Sequence, residues 1–187
     1  MNAAIDASIL IYIFDEDAPA PTSTTTGKPV PFCRERVEHL IETLQRDKVK
    51  IIVPTPALAE ALVRAQEGAP ERLRLLGSNK HIRIAPFDQK AAVEYAAVQA
   101  GRIASGQRPL GTPRAKAKFD EQIIAIAAAE NATVIYSDDA DIKKGAGSRF
   151  RVVGIEELPL PPENEQPTLF DQKPADDETD EDHSGED

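Results

Sequence analysis

The sequence predicts an α/β protein with a mostly parallel central sheet between layers of helices, followed by a disordered acidic C-terminal tail. Three observations predict it. Short apolar runs alternate with segments of helical spacing. Acidic residues recur where a strand hands over to a helix. Near Pro159 the composition changes to Pro, Glu and Asp with almost no apolar residues. The βα alternation calls for a parallel sheet, and the tail cannot bury enough surface to offset its chain entropy.

Taken in order, the first apolar run, about residues 2–6, reads as a strand that leads into a short helix through Ser8-Ile9-Leu10-Ile11-Tyr12. Residues 18–31 are rich in Pro and Thr and lack periodicity, which predicts a mobile surface insertion loop. Val37, Leu40, Ile41 and Leu44 fall on one helical face. Ile51-Ile52-Val53 reads as a buried strand, and Thr55-Pro56 as the start of a helix carrying Leu58, Ala61 and Leu62. Gly68-Ala69-Pro70 breaks that helix, and another takes Leu73, Leu75 and Leu76. Ile82-Arg83-Ile84 is a strand, and Phe87-Asp88 begins a long helix ending near Ala104. After a loop from Ser105 to Pro113, a helix opens at Phe119-Asp120. It is followed by the strand Ala132–Tyr136, a turn from Ser137 to Ile142, and a last strand, Arg151-Val152-Val153. The expected organisation is one domain over residues 1–157 and a tail over residues 158–187.

Composition excludes several classes. No apolar run is long enough to span a membrane, and Asp6 interrupts the only stretch that a leader peptide could use. Cys33 is the single cysteine, so no intrachain disulfide or cysteine-rich zinc site can form; a cytoplasmic protein is expected. The net charge is −10, but residues 158–187 hold 11 acidic side chains and one basic, leaving residues 1–157 with 21 of each. The balanced body therefore does not exclude a nucleic-acid substrate.

The chemistry lies in the carboxylates. Asp6, Glu60, Asp120, Asp139 and Asp141 all fall at or near strand-to-helix junctions, and in a parallel sheet those junctions share the edge where ligands bind. Carboxylates crowded there repel one another unless a hard cation with oxygen ligands stands between them. His39, His81 and His183 lie in a helix, before a strand and in the tail, and no histidine–carboxylate or serine–histidine pair stands out as an acid–base system, so a metal-activated water is the expected nucleophile.

Four motifs resemble the PIN domain family, most closely its VapC-type toxins. They are Ile5-Asp6-Ala7-Ser8-Ile9-Leu10, Val53-Pro54-Thr55-Pro56-Ala57-Leu58-Ala59-Glu60, Asp120-Glu121-Gln122-Ile123-Ile124-Ala125, and Val134-Ile135-Tyr136-Ser137-Asp138-Asp139-Ala140-Asp141. They occur in order across about residues 2–155. The resemblance implies a PIN-like α/β/α fold and an endoribonuclease that cuts single-stranded RNA with Mg²⁺ or Mn²⁺. It implies Asp6, Glu60, Asp120 and Asp139 as metal ligands, Asp141 as a further catalytic residue, and Ser137 as their support. Asp138 stays a rival for Asp139 in so tight a turn. The resemblance also implies homodimerisation and an antitoxin partner. The 18–31 insertion and the acidic tail depart from the family pattern.

Arg108, Arg114, Lys116, Lys118 and Lys143 flank the acidic positions and are the expected contacts to nucleic-acid phosphates. Tyr12 and Phe14 read as core. In the tail, Gln166, Leu169 and Phe170 resemble the peptide by which bacterial proteins bind the DNA sliding clamp, so a DNA-directed nuclease recruited to a clamp is the alternative. A non-catalytic binding module with this fold is a further one. A phosphoacceptor receiver fits poorly, because Glu60 and Asp120 fall on helices.

Overall fold

The computed structural model describes residues 1–15, 17–65, 68–104, 106 and 114–162, with the side chains of residues 114–117 excepted. Five parallel strands form one sheet: β1 (Asn2–Ile5), β2 (Lys50–Pro54), β3 (Ile82–Ala85), β4 (Ala132–Tyr136) and β5 (Arg151–Val153). Their order is β3-β2-β1-β4-β5. The central strand β1 is apolar without alternation because both of its faces are covered, and Ala3, Ala4 and Ile5 are fully buried.

Seven helices connect and cover the strands among the described residues: α1 (Ala7–Phe14), α2 (Cys33–Arg46), α3 (Thr55–Ala65), α4 (Ala69–Ser78), α5 (Gln89–Ala104), α6 (Arg114–Ala129) and α7 (Ala140–Ala146). Six of the eight residues of α1 are buried, as befits a helix that is apolar on every side. By contrast, α2 buries a single stripe through Val37, Leu40 and Leu44. Asp88 caps α5, its carboxylate accepting from the Ala91 amide at 3.0 Å. Among the described residues no helix is long and apolar enough to cross a membrane.

The sheet order sets the position of the site. From β1 the chain moves outward to β2 and β3, then returns past β1 to β4 and on to β5. The connections therefore diverge between β1 and β4, and a crevice opens at the carboxyl ends of those two strands. Ile5 pairs with Tyr136 there, so the residues that follow each strand, Asp6 and Ser137, begin side by side.

Three local expectations are refined or corrected. Residues 18–31 form a largely exposed loop that is pinned to the body at a few points. Thr22 bridges Pro29, Val30 is buried, and the buried Ser23 hydroxyl donates to Glu156 Oε1 at 2.6 Å while accepting the Thr25 and Thr26 amides. Polar side-chain and backbone bonds do there what apolar periodicity does in a helix, and a search for periodicity does not see them. Second, α6 starts at Arg114 and not at Phe119, because Ala115 to Lys118 are good helix formers; Asp120 thus lies in the second turn. Third, the turn after β4 continues into α7, with Asp139 as its cap.

Replacing Ser23 with Ala is expected to cost about 0.5–1.5 kcal/mol in a urea unfolding titration, the range for a typical hydrogen bond, because the Glu156 partner is exposed. Limited proteolysis should then cut faster between Thr22 and Pro29 than in the wild type.

Candidate active site

Asp6 is the first residue after β1. Its amide donates to the Tyr136 carbonyl at 3.0 Å, extending the β1–β4 ladder by one step. Three donors fall on its Oδ2: the Ser137 hydroxyl at 2.8 Å, the Ser8 hydroxyl at 3.0 Å and the Ser8 amide at 3.5 Å. The same hydroxyls accept amides from the turn after β4, Ser137 from Asp139 and Ser8 from Asp138, both at 3.0 Å. Each hydroxyl has one proton to give, and here both give it to Asp6. Two serines thus bolt the end of β1 to the end of β4.

Asp6 is only 4% exposed. Burial pushes its carboxyl above the usual carboxylate range, against the lowering effect of the Ser137, Ala7 and Ser8 hydrogen bonds. The Asp138 carboxyl is raised too, first by loss of hydration and further by the nearby Asp6 charge; the Ile155 amide, which donates to its Oδ1 at 2.8 Å, works the other way.

Asp139 caps α7, its Oδ1 accepting from the Asp141 amide at 2.7 Å and the Ile142 amide at 3.4 Å. Asp120 comes in from α6 and is buried. Asp120, Asp139 and Asp141 each present one carboxylate oxygen, and these oxygens lie within 4.8 Å of one another. Two unit charges at such a distance repel by about 3 kcal/mol at an effective dielectric near 20. An all-oxygen donor set of this spacing fits a hard divalent cation.

Asp6, Glu60, Asp120 and Asp139 line one open cleft of about 800 Å³. Glu60, on the sixth residue of α3, is exposed in that cleft and stands outside the three-carboxylate cluster. Asp138 also lines the cleft, but its Oδ1 is bonded to the Ile155 amide and Asp138 is absent from the cluster, which contains Asp139.

The expected basic contacts are less well served. Lys118 is exposed but two residues from Asp120, across the helix from it. Lys143 faces Glu157 at 3.9 Å. Two further basic residues close to the acidic positions in sequence are committed to ion pairs: Arg149 with Glu94 at 2.6 Å, and Arg102 with Glu121. Of Arg114 and Lys116 only the helical backbone is described. Arg108 and the tail residues Gln166, Leu169 and Phe170 lie outside the described residues.

Sequence reasoning missed three cleft residues: Ser8, Arg64 and Phe119. Each carried a positional signal. Ser8 follows Asp6 by two residues, the spacing of a hydroxyl that folds back on a cap; Arg64 stands one helical turn from Glu60; Phe119 adjoins Asp120.

Comparison with known proteins bears on this geometry. The PIN domain family profile matches residues 30–147. No curated protein matches by sequence. Solved structures similar to the chain include VapBC2 from Rickettsia felis bound to a DNA fragment from its promoter, at a TM-score of 0.55 and 16% identity over 82% of this chain and 98% of that one. They also include VapC20 from Mycobacterium tuberculosis, a sarcin-ricin-loop-cleaving toxin, at 0.53 and 11% over 84% and 99%. FitAcB from Neisseria gonorrhoeae matches at 0.52 and 18% over 83% and 99%. At such identities the likeness is one of fold.

The raised Asp6 carboxyl sets a pH dependence. The folded chain holds this proton more tightly than the unfolded chain, so the group lowers stability as pH rises out of the ordinary carboxylate range and through its folded value. Metal-free Asp6→Asn is therefore expected to be more stable than wild type at neutral pH, by about 0.5–2 kcal/mol, the range common for single stabilising substitutions. Thermal unfolding at stepped pH checks this: the gain should vanish in acid, where the wild-type carboxyl is protonated.

Proposed function

The chain belongs to the PIN domain family, and from that premise we propose that it is a Mg²⁺- or Mn²⁺-dependent endoribonuclease acting on single-stranded RNA. PIN domains are in general nucleases. The observation that carries the metal dependence is the cluster of Asp120, Asp139 and Asp141 beside Asp6 and Glu60.

Asp120, Asp139 and Asp141 would hold the cation, and Asp6 and Glu60 would complete the acidic set around it. When bound, the ion lowers the pKa of its water and offsets the negative charge of the phosphodiester. Ser8 and Ser137 fix the Asp6 carboxylate in one orientation, so it needs no rearrangement when substrate arrives. Neither His39, on α2, nor His81, before β3, lines the cleft. Among the described residues that line the cleft, carboxylates are thus the side chains that could take a proton. Attack by water with departure of the 3′-oxygen would leave 3′-hydroxyl and 5′-phosphate ends.

A toxin role is the biological form of this reading. It is supported by likeness in fold to VapBC2 and to VapC20, the latter a sarcin-ricin-loop-cleaving toxin. By the same analogy this chain would pair with itself and be silenced by an antitoxin. Residues 1–157 would form the nuclease unit, and the acidic residues 158–187 a separate tail.

Labelled single-stranded RNA should be cut in Mg²⁺ or Mn²⁺ and left whole in EDTA. Asp6→Asn and Asp120→Asn should each slow cleavage by more than the roughly 10–100-fold expected for losing a supporting residue such as Ser137. Asp138→Asn should cleave much as the wild type does, whereas Asp139→Asn should not. Equal cleavage by the wild type and the Asp6 and Asp120 variants would refute the assignment.

A further inference from the structure

Phe119 is 56% exposed on α6, although Ile123, Ile124, Ile126 and Ala127 of that helix are buried. Its neighbour Asp120 enters the acidic cluster, and both residues line the cleft. On α3, which packs against α6, Val63 is 77% exposed and Arg64 is exposed, and both line the same cleft next to Glu60. Among the described residues Arg64 makes no ion pair. The cleft therefore joins three chemistries: an acidic end suited to a cation, a free guanidinium, and an aromatic ring left in water.

Acids and a cation serve a phosphodiester, but they give no reason for an exposed ring beside them. A nucleotide has both parts, an anionic backbone and a flat base with apolar faces. We infer that Phe119 and Arg64 form a subsite for one unpaired nucleotide next to the scissile bond, the ring stacking on the base and the guanidinium holding a phosphate. Stacking tolerates any base, because every base has a π-face. It requires the base to be out of a duplex, so the subsite supplies the preference for single strands. The inference rests on the nuclease reading of the cleft.

The test uses the full-length chain and a short single-stranded RNA carrying 2-aminopurine, bound to an Asp6→Asn variant that cannot cut it. Binding should quench the fluorophore. Adding Phe119→Ala should abolish the quench and weaken binding about tenfold or more, within the range for losing one stacked base, while Phe119→Trp restores both. Arg64→Ala should weaken all sequences alike and lower the salt dependence of binding by about one ion. In the cutting enzyme, Phe119→Ala should raise KM and leave kcat nearly unchanged. Unaltered binding and quenching in Phe119→Ala, or equal competition by duplex RNA, would overturn the subsite. So would loss of a copurifying protein in Phe119→Ala with RNA binding unmoved, which would make the ring a protein contact. Quenching that depends on Phe119 in a wild type that cleaves nothing would support the subsite and strike the nuclease reading alone.

Discussion

The Asp6 carboxylate shares one oxygen between two serine hydroxyls, each of which in turn accepts an amide from the turn after β4. The rest of the site depends on this tie. The sheet brings β1 and β4 together but leaves open what happens past their last paired residues, Ile5 and Tyr136. With the tie in place, Asp139 is set as the cap of α7, and Asp141 follows in its first turn. Only then does α6 have a fixed partner for Asp120. Local hydrogen bonds thus convert a loose strand end into a surface that positions carboxylates from three elements.

The same arrangement is electrostatically costly. Buried Asp6 and the crowded Asp120, Asp139 and Asp141 concentrate negative charge where water is partly excluded. A fold selected for stability alone would put apolar or neutral residues there. The apolar core around β1 supplies the margin that lets these charges persist: Ile5, Ile9, Ile51, Ile126 and Ile135 are all fully buried. Core and site are therefore linked through stability as well as through geometry.

How much of this was legible in the sequence follows from the kind of force involved. Apolar runs betray buried strands, and all five were placed to within a residue or so. The acidic positions stood out because carboxylates at strand ends are unusual, and the structure brings Asp6, Glu60, Asp120 and Asp139 into one cleft. The anchoring points of residues 18–31 were not legible. They rest on single polar contacts such as Ser23 to Glu156, between residues far apart in the chain. The start of α6 was missed because Ala115 to Lys118, though good helix formers, carry no apolar periodicity to mark them. Basic side chains near the site were counted by sequence distance, whereas the fold commits Arg102 and Arg149 to ion pairs and brings Arg64 in from another helix.

Arg36 spans two parts of the chain. It donates to the Pro31 carbonyl at 3.2 Å, at the end of the 18–31 segment, and to the Leu158 carbonyl, near the end of the described body. Pro19 and Pro21 of that segment line the cleft, and the Tyr12 hydroxyl holds the Pro19 carbonyl at 2.8 Å. Leu158 is therefore tied through Arg36 to the segment that supplies one cleft wall. Met1, by contrast, opens the strand whose far end carries Asp6, and it is 78% exposed. An affinity handle or fluorescent fusion belongs at Met1, where its bulk hangs from the opposite edge of the sheet.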